Sequence, residues 1–202
     1  MKVLRFQAQV DETKCVGDKL CQNVCPSGAI QVVAKKAKVD WEKCVGCGKC
    51  SDICPHDAAK LVRLAQDKII GIAPEELETL AKEIDELCWE AGLPPHRVMC
   101  SCTRTPAKEC AAAVLKGAET PEEITAMTGS GSGCGIYCLA RTLTLLKHHL
   151  GELKPPKGHK WYDSTPSMWD VPPEVEEQHP ESYLKEDRAM RLEYITRKGA
   201  KQ

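Results

Sequence analysis

Residues 44–55 read CVGCGKCSDICP, and this stretch decides the fold of the first part of the chain. Its cysteines follow the spacing Cys44-x2-Cys47-x2-Cys50-x3-Cys54, and Pro55 comes directly after the last of them. Three thiolates in one tight loop hold three corners of an iron–sulfur cube, while a fourth cysteine, three residues later and before a proline, is directed at a second cluster. The run therefore predicts cubane iron–sulfur chemistry, and a disulfide knot or two zinc sites are the alternatives.

The same pattern occurs a second time, 29 residues earlier. Residues 15–30, CVGDKLCQNVCPSGAI, align with residues 44–59, CVGCGKCSDICPHDAA. The cysteine position that differs is 18, where the first copy has Asp18. Between the copies, residues 30–33 and 37–40 flank a Lys-rich turn and predict a short hairpin. An internal repeat of this kind predicts a module with two pseudo-symmetric halves.

A second group of cysteines predicts another metal site. Cys100 and Cys102 come first, and Cys134 and Cys138 follow directly after TGSGSG at residues 128–133. A Gly/Ser loop lets the backbone approach closely and direct N–H groups at anionic sulfur, and a following helix adds its positive N-terminal end. Four thiolates in this setting fit a [2Fe-2S] cluster or a structural Zn²⁺.

The composition narrows the classes of protein to which the chain can belong. The chain has 202 residues with 13 cysteines, 28 Lys and Arg against 29 Asp and Glu, and a formal net charge of −1. Because there is no basic surplus, we expect no nucleic-acid partner. No stretch is apolar enough for a membrane span and residues 1–5 open no signal peptide, so we expect a cytoplasmic protein. In that compartment closely spaced cysteines are metal ligands rather than disulfides.

Periodicity and capping signals predict helices between and after the cysteine groups. Apolar residues recur at helical spacing from Pro74 to Ala91. Further helices are predicted from Pro106 to Lys116 and from Ile136 to Leu150. Thr120-Pro121-Glu122-Glu123 is a capping box and predicts a short helix that ends near Met127. Cys88 and Cys110 fall on predicted helices without a partner at ligand spacing, so we interpret both as core residues.

Over residues 1–60 the repeat resembles the bacterial-type two-[4Fe-4S] ferredoxin family. This resemblance implies two cubane clusters, each with ligands from both halves. Asp18 departs from the family, and a carboxylate is a harder iron ligand than a thiolate. Either Asp18 ligates a [4Fe-4S] cluster, or the fourth iron is absent and the cluster is [3Fe-4S], or Asp18 is a solvated loop residue. His56 is interpreted as a polar loop residue. The implied ligand sets are Cys44, Cys47, Cys50 and Cys25 for one cluster, and Cys15, Asp18, Cys21 and Cys54 for the other.

Over about residues 98–150 the sequence resembles the bacterioferritin-associated-ferredoxin-like [2Fe-2S] domain. The resemblance rests on the Cys100-x-Cys102 pair, on residues 114–124, and on the glycines around residues 128–135. One departure is that three residues, instead of the usual two, separate the last two cysteines. A structural Zn²⁺ on the same thiolates is the alternative. The implied [2Fe-2S] ligands are Cys100, Cys102, Cys134 and Cys138.

Together these patterns predict an α+β chain of four segments. Residues 1–60 form a ferredoxin-type pseudo-twofold cluster domain, residues 61–98 a helical linker, residues 99–151 a small all-α [2Fe-2S] domain, and residues 152–202 an extended tail. The tail holds several aromatic residues, which favours docking on a partner, although folding back over the chain's own modules is the alternative. These aromatic residues are Trp161, Tyr162, Trp169, Tyr183 and Tyr194.

The leading hypothesis for function is an electron-transfer subunit with two cubane clusters and one [2Fe-2S] cluster. The sequence has neither a nucleotide-binding loop nor a Ser/His/acid or Cys/His catalytic set, so we expect a non-catalytic subunit. By resemblance, its partners are a larger oxidoreductase of flavin, molybdenum/tungsten or hydrogenase type in a hetero-oligomeric complex, and a soluble ferredoxin. The alternative is a metallochaperone or cluster-handling protein that uses residues 99–151.

Overall fold

The fold mixes helices with small antiparallel sheets, in agreement with the predicted α+β class. A computed structural model describes residues 1–153 and 171–199. The described residues fall into two compact units, 1–153 and 171–199, of which the first contains all 13 cysteines. None of these cysteines forms a disulfide in that unit. None of the helices in the described ranges has both the length and the apolar composition that a bilayer crossing requires.

The first part of unit one is built from two small sheets and two short helices. Strand β1 pairs antiparallel with β4, and β2 forms the predicted hairpin with β3. The hairpin closes through Ala34 and Lys35, both at positive φ (50° and 59°), as a two-residue type I′ turn demands. In chain order the elements are β1 (Lys2–Val10), α1 (Leu20–Val24), β2 (Ile30–Val33), β3 (Lys36–Val39), α2 (Lys49–Ile53) and β4 (Ala59–Ile70).

The sequence repeat becomes a structural repeat. Helices α1 and α2 occupy equivalent positions in the two copies, and each follows a residue in the left-handed conformation. Each copy also has a glycine packed on the backbone of the other half. A Cβ on Gly17 would lie 2.5 Å from the carbonyl oxygen of Lys35, and one on Gly46 would lie 2.3 Å from that of Phe6. Both contacts require glycine, so the repeat places its ligand loops by close backbone packing.

The core of this part consists of sulfur and small side chains. Apart from Ile30, the buried residues are cysteines and alanines, and they surround the two ligand loops. Such a core has little aliphatic bulk of its own, so its packing depends on what the thiols bind. The buried residues are Ala8, Cys15, Cys21, Cys25, Ala29, Ile30, Ala37, Cys44, Cys50, Ala58 and Ala59.

Residues 61–90 differ from the expected continuous helical linker. Residues 61–70 belong to strand β4, which pairs with β1 as far as Lys2↔Ile70. The single helix predicted from Pro74 to Ala91 is two helices, α3 (Pro74–Thr79) and α4 (Ala81–Glu90). The helical path is interrupted at Leu80 (φ −98°, ψ 13°), which ends one helix and precedes the next.

The second part of unit one is a helical bundle around a central alanine-rich helix. Its elements are β5 (Val98–Cys100), β6 (Thr105–Pro106), α5 (Ala107–Leu115), α6 (Pro121–Thr128) and α7 (Leu139–Leu150). The short β5–β6 pair adds a sheet to a part that we predicted as all-α. Helix α5 is buried on nearly all sides, and its alanines let α4, α6 and α7 pack closely against it. Fully buried Met99, Ile124 and Leu145 each stabilise this core by roughly 1.5–3 kcal/mol.

The N-terminal ends of helices α6 and α7 can be compared with the starts that the sequence predicts. The predicted capping box is present, because Thr120 Oγ1 accepts a hydrogen bond from Glu123 N at 3.2 Å and Thr120 N donates to Glu123 Oε2 at 3.1 Å. Helix α7 starts at Leu139 and not at the predicted Ile136. The Ile136 and Tyr137 amides face the thiol of Cys134, and both residues precede the helix.

Unit two comprises helix α8 (Pro173–Gln178), a 3₁₀ turn (Pro180–Ser182) and helix α9 (Leu184–Gly199). Helix α9 is rich in charged residues and lies within the segment that we predicted as an extended tail. Within this unit, Arg188 Nη2 lies 3.5 Å from Glu176 Oε2 and donates to the Val171 carbonyl at 3.2 Å. Tyr183 and Tyr194 are exposed. Trp161, Tyr162 and Trp169 lie outside the described residues.

Candidate metal centres

The first candidate centre is a cavity beside helix α2. The cavity is lined by Cys25 from the first copy of the repeat and by Cys44, Cys47 and Cys50 from the second. It therefore brings together one complete predicted ligand set. The loop before α2 supplies the sulfurs of Cys44 and Cys47, and α2 itself supplies that of Cys50. The backbone N–H of Ala8 in β1 donates to Cys44 Sγ at 3.4 Å. Backbone N–H groups that face sulfur are typical of thiolate-bound clusters.

Burial governs the protonation of these thiols. Burial raises the pKa of Cys50 to about 12, and the neighbouring Cys47, Cys25 and Cys44 sulfurs raise it further in the same direction. Burial also raises the pKa of Cys47. Without a positive centre Cys47 and Cys50 stay protonated at neutral pH, so metal binding at these two thiols must release their protons. Clustered thiols that only a metal can deprotonate are typical of a metal site rather than of a reactive cysteine.

The second candidate centre is the pseudo-symmetric counterpart of the first. Its cavity is lined by Cys15, Asp18 and Cys21 from the first copy and by Cys54 from the second. Ala37 N donates to Cys15 Sγ at 3.4 Å, which repeats the bond from Ala8 to Cys44 one repeat later. A third N–H group, that of Ala58, donates to Cys54 Sγ at 3.4 Å.

Asp18 has the local geometry of a ligand-loop residue. Its Oδ1 atom accepts a hydrogen bond from the backbone N–H of Leu20 at 3.0 Å. In the other copy Cys47 accepts the equivalent bond from the N–H of Lys49. The carboxylate of Asp18 therefore replaces the thiol of Cys47 in the same backbone turn, at the mouth of a cavity that contains three cysteines.

His56 is a residue of this centre that sequence reasoning set aside. Its ring lines the same cavity, and its Nε2 atom lies 3.6 Å from Asp18 Oδ2. The equivalent residue of the other copy is Ser27, whose Oγ lies 3.8 Å from Cys25 Sγ. The repeat alignment contained a signal for this residue, because it places His56 directly after Cys54-Pro55, as Ser27 follows Cys25-Pro26.

The third candidate centre lies between strand β5 and the start of helix α7. The Cys100 thiol lies beside that of Cys138, and the Cys102 thiol beside that of Cys134. The Gly/Ser loop directs N–H groups at the sulfurs, as predicted. Gly131 N donates to Cys100 Sγ, and Cys134 N donates to Cys102 Sγ, both at 3.5 Å.

The three-residue spacing between the last two cysteines has a structural role. It directs the N–H groups of Ile136 and Tyr137 at Cys134, which lower the pKa of that exposed thiol to about 7. Burial raises the pKa of Cys138 to about 11. The loop is tightly packed at Gly133, where a Cβ would lie 2.4 Å from Cys102 Cβ and 2.8 Å from Cys102 Sγ.

The other two cysteines lie in the helical core, as predicted. Cys88 and Cys110 are completely buried among aliphatic side chains of the bundle. Burial raises the pKa of each to about 12.

Backbone N–H groups face sulfurs in all three groups of thiols. Within residues 1–153 and 171–199, no three His, Cys, Asp or Glu side chains converge closely enough to hold one metal ion. The first two groups line cavities, and backbone N–H groups donate to sulfurs of all three groups. Hydrogen bonds of this kind stabilise thiolate-bound clusters and tune their potentials.

Comparison with known proteins gives two family matches within unit one. The family described as the LdpA Fe-S cluster-binding domain matches residues 12–64, which span the first and second centres. The family described as the BFD-like [2Fe-2S] binding domain matches residues 98–148, which span the third. No curated protein and no solved structure matches the chain. The chain thus carries two iron–sulfur-binding domains, whose chemistry suggests electron transfer or cluster handling.

Proposed function

We propose that this chain is the electron-transfer subunit of an oxidoreductase complex. The observation that carries the proposal is the presence of three thiol-lined sites in one compact unit, with backbone N–H groups donating to their sulfurs. Bound there, iron–sulfur clusters accept and return single electrons. The chain's part is to hold the sulfurs in place, to limit water around them and to set their potentials by hydrogen bonds.

Two cubane clusters and one [2Fe-2S] cluster are the proposed cofactors. Asp18 completes one cubane set, because its carboxylate takes the position of Cys47 in the repeat. The first part of unit one, extended by strand β4, then forms the two-cubane domain, and residues 99–151 form the [2Fe-2S] domain. The proposed ligands are Cys25, Cys44, Cys47 and Cys50; Cys15, Asp18, Cys21 and Cys54; and Cys100, Cys102, Cys134 and Cys138.

The partner is proposed to be a larger oxidoreductase subunit that carries the substrate chemistry. A flavin, molybdenum/tungsten or hydrogenase centre would exchange electrons with this chain, and a soluble ferredoxin would serve as the other carrier. Residues 152–202 are proposed to dock on that subunit, because the charged helix α9 ends a segment that contains exposed Tyr183 and Tyr194.

A second candidate, metal or cluster delivery, is favoured by one observation. Cys102 and Cys134 are exposed, and the N–H groups of Ile136 and Tyr137 lower the pKa of Cys134 to about 7. An accessible thiolate is suited to exchange of metal ligands with another protein.

Anaerobic purification of the tagged full-length chain from its native host separates the two candidates. For electron transfer we expect a stoichiometric oxidoreductase partner and about ten irons per chain, or about nine with a [3Fe-4S] cluster. Deleting residues 160–202 should release the partner without changing the iron content. About eight irons with one zinc, or a chain recovered without a redox partner, would favour metal handling and contradict the electron-transfer proposal.

A further inference from the structure

The first and third centres border the same cleft. This cleft, of about 400 Å³, is lined by Cys25 and Lys49 from the first part of unit one and by Gly131, Gly135 and Cys138 from the second. Cys25 also lines the cavity of the first centre, and Cys138 is a proposed ligand of the third. In the described part of the chain, the cavity that contains Asp18 shares no lining residue with this cleft.

Lys49 lies at the first centre, and its side chain extends across the cleft to the third. In the sequence Lys49 lies between Cys47 and Cys50, two proposed ligands of the first centre, and it lines the cavity of that centre. Its ammonium reaches the third centre, because a Cβ placed on Gly135 would lie 3.0 Å from Lys49 Nζ. The Lys49 charge accordingly acts on the thiols of both Cys47 and Cys134.

Lys49 forms no ion pair with an acidic side chain in the described ranges 1–153 and 171–199. Among the residues that the structure describes, no carboxylate oxygen lies within 4.0 Å of Lys49 Nζ. The side chain is half-buried, so water screens its charge less than that of a surface lysine. An unpaired, half-buried cation between two sets of thiols favours negative charge on both.

The repeat shows that this lysine is not needed to build a ligand loop. The residue equivalent to Lys49 in the other copy is Leu20, which starts helix α1 as Lys49 starts α2. The centre that contains Asp18 therefore has an apolar side chain where the first centre has a cation. Of the two equivalent residues, Lys49 lines the cleft and Leu20 does not.

We propose that Lys49 is a positioning residue that couples the first centre electrostatically to the third and raises the reduction potentials of both. The inference rests on the proposed function, in which these centres hold clusters. Thiolate-bound clusters become more negative on reduction, so a fixed positive charge between them stabilises the reduced forms. The two centres on the cleft are then neighbours in the relay, and the centre with Asp18 is its outer member.

The test is a redox titration of each cluster in the anaerobically purified full chain, followed by EPR. Lys49→Leu copies the residue of the other repeat, Lys49→Gln removes the charge with a polar side chain, and Lys49→Arg keeps it. Lys82→Leu is the matched control, because its exposed side chain on α4 carries the same charge. Iron content is measured first for every variant.

We expect Lys49→Leu and Lys49→Gln to lower the reduction equilibrium constants of the first and third clusters about tenfold each, which is about 59 mV for a one-electron couple. The cluster at Asp18 should not shift, Lys49→Arg should retain most of the native potentials, and Lys82→Leu should change none. Unchanged potentials, a shift confined to one cluster, or an equal effect of Lys82→Leu would overturn the proposal.

Failure of this inference is distinguishable from failure of the proposed function. If the chain holds three clusters and the Lys49 substitutions leave their reduction potentials unchanged, only the proposed electrostatic coupling is contradicted. Zinc in the third centre would contradict the proposed function itself. Loss of iron in both neutral variants but not in Lys49→Arg would also overturn the inference, because it would show that Lys49 is needed for assembly.

Discussion

Lys2 Nζ lies 3.2 Å from Glu109 Oε1 and also donates a hydrogen bond to the carbonyl oxygen of Thr128 at 2.5 Å. This contact joins strand β1 of the first domain to helices α5 and α6 of the second. Glu109 is only 6% exposed, so its carboxylate has little access to water as an alternative partner. A buried charge requires such pairing. The ion pair therefore holds together the two domains that border the cleft at Lys49.

Removing Lys2 should destabilise unit one strongly. Lys2→Met leaves the buried Glu109 carboxylate unpaired, and we expect it to reduce the free energy of unfolding by about 3 kcal/mol. Lys2→Met combined with Glu109→Gln should recover part of the loss, because no unpaired charge remains. Anaerobic denaturant unfolding measures both. Lys82→Met, which breaks an exposed pair with Glu86, should cost less than about 1 kcal/mol. Strictly additive effects of the Lys2 and Glu109 substitutions would contradict the pairing.

Gly133→Ala should abolish cluster binding at the third centre. The added Cβ would lie 2.4 Å from Cys102 Cβ, a distance that forces the ligand or its loop to move. We expect loss of about two irons per chain and of the [2Fe-2S] EPR signal, with the other signals retained. The control is Gly117→Ala, where no heavy atom lies within 4 Å but φ is +97°. That variant should lose about 1 kcal/mol of stability and keep its iron. A Gly133→Ala chain with a full iron complement would contradict the proposed loop geometry.

Asp18→Cys should change one cubane cluster and leave the other unaffected. The thiolate would replace a harder carboxylate ligand in the same backbone turn. We expect an altered EPR spectrum and a lower potential for that cluster, while Asp18→Ala should favour the three-iron form. Asp52→Cys, on the exposed side of α2, is the control and should leave the spectrum unchanged. An Asp18→Cys chain with native spectra would show that Asp18 does not contact the metal.

Removal of the metal should unfold the first domain and spare the helical core of the second. The buried residues around the ligand loops are mainly cysteines and alanines, which bury little apolar area without a cluster. The helices α4–α7 instead pack around Met99, Ile124 and Leu145. After anaerobic chelation, hydrogen exchange should accelerate in β1–β4 and remain slow in α5. Equal loss of protection in both parts would contradict this division.

Local sequence signals predicted the parts of the fold that depend on local chemistry. The family resemblance implied that Cys25 joins Cys44, Cys47 and Cys50, and these four residues line one cavity. The close backbone packing of the repeat leaves the ligand loops little freedom. The capping box at Thr120 and the hairpin turn at Ala34 and Lys35 depend on neighbouring residues alone, and both are present.

Features that depend on contacts distant in sequence were not predictable. Strand β4 forms on residues expected to belong to a helical linker, because it pairs with β1, about sixty residues away. Helix α7 starts at Leu139, after a loop in which the Ile136 and Tyr137 amides face the Cys134 thiol, and no helix-propensity signal encodes that loop. The position of Lys49 on the cleft depends on how the two domains dock, through contacts such as that between Lys2 and Glu109.

The most direct test of the account is a count of the electrons that the chain stores reversibly. An anaerobic coulometric titration of the full chain, with iron measured before and after, should give about three electrons per chain, one for each cluster. All of them should be returned on reoxidation without loss of iron. Uptake of about two electrons by a chain that also binds zinc, or release of iron on reduction, would contradict an electron-transfer subunit with three iron–sulfur centres.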